Sequence, residues 1–280
     1  MRRCRNSVTV PQIAEIANQY AESCRICSTG KARVGRPCIT AGETAISDVL
    51  IGLVSKQEQA VELWPGIHAV RLLGSTAYLI VEDELTLIDA GLAGSGRPLR
   101  RYLEGIGRSQ ADIARIVCTH NHPDHIGGVR EIAFGHETEV LMHPADSARL
   151  RIRWRDVVAR PTPSTFVALI TRGPEDAHPV LDGQVIPCLG GLRVVHTPGH
   201  TPGSICLYAA SLKLLFVGDV LQVLRGRLAF ASQFFSDDMA EAKRSIAKLA
   251  ALDVEVIAFA HYAPWRDRAR DALRELSAAS

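Results

Sequence analysis

The feature that most constrains this chain is the heptapeptide Thr119-His120-Asn121-His122-Pro123-Asp124-His125, which sets three imidazoles and one carboxylate within six consecutive positions. It directly follows the apolar run at residues 113–118, which has the length and β-branched content of a buried strand. Side chains two apart on an extended segment share a face, so His120 and His122 project together toward one point. Asp124 and His125 open the helical stretch that follows and point at a second. The fold must therefore bring a strand end and a helix start to one rim, where clustered nitrogen and oxygen donors can hold metal.

Around this cluster, short strand-like runs alternate with helical ones. Residues 67–73, 77–81 and 85–88 read as strands, separated by Gly74-Ser75 and by Glu82-Asp83-Glu84. Residues 97–106 read as a helix, residues 124–132 as another, and residues 139–142 as a strand. The second half repeats the mixture, with strands expected at 185–188, 192–196, 204–208, 213–217 and 254–258 and helices at 237–249 and 267–276. Strands in runs with helices between them predict an α/β chain of two sheets packed face to face, helices outside.

Three more donors stand at the ends of such runs. Thr197-Pro198-Gly199-His200-Thr201-Pro202-Gly203-Ser204 places a histidine in a loop whose prolines and glycines fix the backbone. Leu215-Phe216-Val217-Gly218-Asp219 ends a strand with a carboxylate, and Ala258-Phe259-Ala260-His261 ends another with an imidazole. A single histidine beside an apolar run is usually structural. Together these residues complete two coordination shells.

With that motif set in order, residues 61–280 resemble the metallo-β-lactamase superfamily. The resemblance implies an αββα sandwich with its site at one edge between the sheets. It assigns His120, His122 and His200 to a first metal, Asp124, His125 and His261 to a second, and Asp219 to a bridge between them. Leu87-Ile88-Asp89-Ala90-Gly91 matches the family's early strand-end motif, which makes Asp89 a residue that orients a ligand histidine; a simple turn carboxylate is the plainer reading.

The expected cofactor is a pair of zinc ions per chain, with Mn2+ or Fe2+ as alternatives, and the expected nucleophile a hydroxide bridging the pair. Asp124 is the candidate catalytic residue, a ligand near enough to the attacking oxygen to take its proton. The Asp219 carboxylate resembles the set found in hydroxyacylglutathione hydrolases and lactonases, whereas the β-lactam-cleaving members typically lack it. Only nineteen residues follow His261, too few for the helical tail that holds glutathione in the best-known thioester hydrolases. Cleavage of an ester, thioester or lactone of a small molecule is thus expected, with a glutathione thioester hydrolase or a mononuclear-iron persulfide dioxygenase as the alternatives.

Substrate contacts are thinly marked. Arg149, Arg151, Arg153 and Arg155, with Trp154 among them, form the conspicuous basic stretch, so Arg151 and Arg153 are candidates for an anionic substrate, against the commoner reading of a solvated charged face. Tyr262 follows a ligand and is a further candidate, against an ordinary packing role. A net charge of +2 argues against a nucleic-acid partner.

Residues 1–60 differ from the rest, with scattered charges, no strong period and four of the seven cysteines, and read as an N-terminal extension. Residues 11–28 read as a mildly amphipathic helix with none of the apolar core of a secretory signal, so a cytoplasmic, soluble protein with reduced thiols is expected. Cys24 and Cys27, with Cys4 and Cys38, are an alternative structural zinc set, although the second pair lacks the close spacing of such sites.

Overall fold

A computed structural model describes residues 60–150, 158 and 173–279. The expected extension, its helix, its cysteine set and the Arg151–Arg155 stretch lie outside the described residues.

The strands β1 (Ala60–Trp64), β2 (Ile67–Arg71), β3 (Thr76–Val81) and β4 (Leu85–Ile88) form an antiparallel meander. Beside β4 run β5 (Ile113–Val117), β6 (Glu139–Met142) and β7 (His178–Pro179), all parallel, which completes a seven-stranded sheet in sequence order. The second sheet has the order β14-β11-β10-β9-β8, with β8 (Val185–Ile186), β9 (Leu192–His196), β10 (Ile205–Ala209), β11 (Leu214–Phe216) and β14 (Val256–Ala258). Its pairs are antiparallel except β11 with β14.

The period of two along each strand sorts the core into layers. Tyr78, Ile80, Ile88 and Val117 meet Ile205, Leu207, Leu214 and Phe216 between the sheets. Their neighbours Ala77, Leu79, Leu87 and Ile116 face outward onto Leu99 and Leu103 of α1 (Gly96–Gly105). On the far side Cys206, Leu215 and Ile257 pack against Ile246 and Leu249 of α5 (Met239–Ala250) and Leu273 of α6 (Ala269–Ala278). The result is the expected αββα sandwich. Helix α5 buries Ala242, Ser245, Ile246 and Leu249, one stripe at helical spacing, and Asp238 caps it by accepting the Glu241 N–H at 2.9 Å.

The fold differs from expectation in two places. The helix expected over 124–132 is broken into α2 (Pro123–Ile126) and α3 (Val129–Ala133). The His125 carbonyl accepts from Ala90 N at 2.7 Å instead of continuing the helix, and the glycine pair at the break lies against backbone. A Cβ on Gly128 would stand 2.2 Å from the Ala90 carbonyl oxygen, and one on Gly127 2.7 Å from Ala93 N. A second difference is an addition: the segment after Asp219, for which no element is expected, forms a hairpin of β12 (Leu221–Leu224) and β13 (Arg227–Phe230). Its turn residues Arg225 and Gly226 both take positive φ, 51° and 73°, as a tight two-residue hairpin turn requires.

The parallel strands β4, β5 and β6 end at one rim, and β9, β11 and β14 end at the same rim of the other sheet. Two backbone bonds stitch the sheets together there: Ile205 N to the Thr119 carbonyl at 2.9 Å and Thr76 N to the Ala260 carbonyl at 2.8 Å. Among the described residues no helix is long and apolar enough to cross a membrane.

Candidate metal centre

Each donor reaches the rim on a segment that leaves a strand end. His120 and His122 follow β5, Asp124 and His125 sit on α2, His200 lies in the β9–β10 loop, Asp219 follows β11 and His261 follows β14. Gly218 carries the chain into Asp219 with φ of 50°, and a Cβ there would come within 2.6 Å of the Thr119 hydroxyl, so the turn requires glycine.

Among the described residues the side chains gather into two groups, His120, His122, His200 and Asp219, and Asp124, His125, Asp219 and His261, with the donor atoms of each within 4.8 Å of one another. All seven residues singled out as ligands are in these groups, and Asp219 belongs to both. In the first group His200 Nε2 faces His122 Nδ1 at 3.0 Å and Asp219 Oδ2 at 3.8 Å, with His120 Nε2 4.0 Å from that oxygen. In the second, His261 Nε2 lies 3.2 Å from both Asp124 Oδ2 and Asp219 Oδ2, and His125 Nε2 lies 3.4 Å from Asp219 Oδ1.

The donors are aimed by groups behind them. Asp89 accepts from His125 Nδ1 at 2.8 Å, which turns Nε2 toward the centre, and its other oxygen accepts from Thr119 N at 2.8 Å. It does so from the left-handed region, with φ of 61°, a conformation an aspartate tolerates better than most residues. Thr119 Oγ1 stands 3.0 Å from His120 Nδ1, and Ser236 Oγ 3.3 Å from His200 Nδ1.

Three atoms at the centre, His120 Nε2, His125 Nε2 and Asp219 Oδ1, are buried and make no well-formed hydrogen bond, the last two facing each other at 3.4 Å. Buried donors and acceptors are rarely left without good partners, and a cation is a partner that imidazole nitrogens and a carboxylate have in common. The residues present therefore fit a pair of divalent ions with nitrogen and oxygen ligands.

The electrostatics divide along the same line. Burial and then the charge of neighbouring histidines hold His120 well below its usual value, and burial, with His122, pushes His200 down to about 3. His122 is lowered as well, chiefly by burial. Hydrogen bonds to Asp124 and Asp219 raise His261 to about 9. Burial opposes charge on His125, but Asp219 and Asp89 outweigh it and raise its imidazole. Burial likewise acts to raise the carboxyls of Asp219 and Asp124, and the imidazoles of the second group overcome it, leaving both below the ordinary range.

The centre opens into a cavity of about 380 Å³ lined by His122, Asp124, His200, Asp219 and His261 at its base and by Leu221, Gln222, Ala231, Ser232, Phe235 and Tyr262 on its walls. Tyr262, one of the substrate-contact candidates, thus faces the cavity; Arg151 and Arg153 lie outside the described residues. Sequence reasoning missed two contributors. One is the hairpin wall. The other is Asp146, wholly buried on α4 (Pro144–Ser147), for which the only signal was a carboxylate just beyond a strand end, as at Asp89.

A family profile described as "Metallo-beta-lactamase superfamily" matches residues 70–261. The probable metallo-hydrolase YflN of Bacillus subtilis is 29% identical over 250 residues, covering 78% of this chain and 92% of its own length. The acyl-coenzyme A thioesterase MBLAC2 of Gallus gallus is 36% identical over 154 residues, covering 48% of this chain and 53% of its own. Among solved structures, a metallo-beta-lactamase family protein from Thermus thermophilus superposes with a TM-score of 0.64 at 23% identity, covering 78% of this chain and 80% of its own.

Proposed function

The chain belongs to the metallo-β-lactamase superfamily, and from that premise we propose that it is a hydrolase with two zinc ions per chain that cleaves an ester, thioester or lactone bond of a small molecule. The observation that carries the reading is the pair of ligand groups sharing Asp219, with buried atoms at their centre that make no well-formed hydrogen bond. His120, His122 and His200 would hold one ion, Asp124, His125 and His261 the other, and Asp219 both. A donor set of imidazoles and carboxylates with no thiolate suits zinc and accommodates manganese or iron. When bound, such a pair polarises an acyl carbonyl and acidifies water toward neutrality.

The protein's own groups do the rest. Asp89 and Thr119 fix the imidazoles of His125 and His120 behind the centre. Asp124, ionised and facing the cavity, is the carboxylate placed to take the proton that an attacking water sheds. Leu221, Ala231, Phe235 and Tyr262 give the cavity apolar lining that suits an uncharged acyl group, while Gln222 and Ser232 offer polar contacts. The similarity to the acyl-coenzyme A thioesterase MBLAC2 supports a thioester among the candidate substrates. The small, apolar cavity supports a small-molecule partner, and the buried, unpaired thiols of Cys118, Cys188 and Cys206 accord with the reducing, cytoplasmic setting that belongs to this proposal.

The test is a panel of acyl esters, acyl thioesters and lactones assayed with zinc or manganese supplied. Turnover of at least one class, lost together with the first ion in His122→Ala while the fold survives, is the expected result. One iron per chain with oxygen uptake on a persulfide, or turnover unchanged in that variant, would overturn it.

A further inference from the structure

A buried carboxylate that belongs to neither ligand group joins two of the loops that carry them. Asp146 is 0% exposed, and its side-chain carboxylate accepts from the segments bearing the first group. Its Oδ2 accepts from Asn121 N at 3.0 Å and from the Thr201 hydroxyl at 2.6 Å, and its Oδ1 accepts from Gly203 N at 2.7 Å. Asn121 lies between His120 and His122, and Thr201 directly follows His200. The three imidazoles of the first group therefore hang from two loops that one side chain ties together. The Thr201 backbone is held in turn, its N–H donating to Ser204 Oγ at 3.0 Å.

We propose that Asp146 is a positioning residue for the first metal, setting the separation between the His120–His122 turn and the His200 loop. The proposal rests on the two-metal reading above. Asp146 is not itself a ligand, because its oxygens are taken up by these three donors and none of its bonds reaches Asp124, His125 or His261. Sinking a carboxylate this deep is costly unless donors meet it, and donors from two different loops make the cost recoverable only while those loops stay in register. That is how a side chain one step removed from a site fixes its geometry. The two segments pack closely: a Cβ on Gly203 would lie 2.6 Å from both Cβ and Cγ of Asp146.

The experiment isolates each metal in the full chain. In a His261→Ala background, which leaves the first group as the intact set, zinc affinity is measured by competition with a chromophoric chelator, with and without Asp146→Asn. In a His122→Ala background, which leaves the second group, the same comparison is made. Asp146→Asn should weaken zinc binding about 10–100-fold in the first background and by less than about twofold in the second, the range seen when groups behind a ligand are removed. Gly203→Ala, which crowds Asp146 at one of its donor segments, should reproduce the pattern, and circular dichroism of the metal-free proteins should show the fold retained. Equal losses in both backgrounds would make Asp146 a general structural tie and overturn the proposal, as would no loss in either. If the parent chain bound no zinc at all, the two-metal reading would fall and this inference with it. Two ions bound without turnover would count against the hydrolase alone.

Discussion

The two halves of the candidate centre share a carboxylate and differ in almost everything else. The first group is deep, with the His120 and His200 side chains only 1% and 3% exposed. Both groups line the cavity, but the second holds the more open donors, its Asp124 and His261 side chains 28% and 33% exposed, with His125 fully buried behind them. Burial holds the first group's imidazoles neutral, so they present lone pairs at neutral pH. The second is an ion-pair network, in which His261 and His125 keep protons through their bonds to Asp124, Asp219 and Asp89. A cation can enter the first group without displacing a proton; it must displace protons to enter the second. For the two-metal hydrolase proposed above, the difference implies a division of labour, with one ion seated for retention and the other placed where substrate and solvent arrive.

Breaking the element common to both halves should have the largest effect. Asp219→Ala removes the shared ligand and leaves buried imidazoles facing one another. It should abolish binding of both ions and lower turnover by more than about 1,000-fold, in line with the several kcal/mol that metal ions contribute to such reactions. Isothermal titration with zinc and the panel assay check the two parts. Retention of one tightly bound ion would show that the halves are more independent than the geometry implies.

A smaller effect should separate them. Asp89→Asn replaces the carboxylate that aims His125, and it should cost the second metal about 10–100-fold in affinity and the first much less. Together with Asp146→Asn it makes a reciprocal pair, each variant loosening one half. Chelator competition on the single-group backgrounds reads both.

The smallest effect sharpens the comparison through pH. His261 is raised to about 9 in the metal-free protein, so zinc must take the place of its proton at any lower pH. Affinity for the second ion should therefore fall as pH drops below about 9, by about tenfold per unit for each proton displaced. His200 lies at about 3, so affinity for the first ion should stay nearly flat over the same range. Proton release into a weak buffer on adding zinc measures the difference directly, and equal release by both halves would erase the distinction.

The parts of this architecture that could be read in the sequence are those a local pattern specifies. Strands such as Leu192–His196 and Ile205–Ala209 announce themselves through their apolar, β-branched runs, and the donors follow because they stand where such runs end. The split between α2 and α3 could not be read, because Gly127 and Gly128 make room for the backbone at Ala90 and Ala93, more than thirty residues earlier. Asp146 was hidden for the same kind of reason. It sits in a four-residue helix that shows no periodicity, and its partners at Asn121, Thr201 and Gly203 are brought to it only by the packing of the two sheets. The hairpin at 221–230 turns on Arg225-Gly226, a weaker signal than asparagine or aspartate before glycine.

Counting the metals tests the central claim most directly. Elemental analysis of the purified chain after zinc loading and gel filtration should give two zinc ions per chain, falling to one in His261→Ala and to none in Asp219→Ala. A single ion in the parent chain, unaffected by His261→Ala, would show that the second group is an ion-pair network and nothing more.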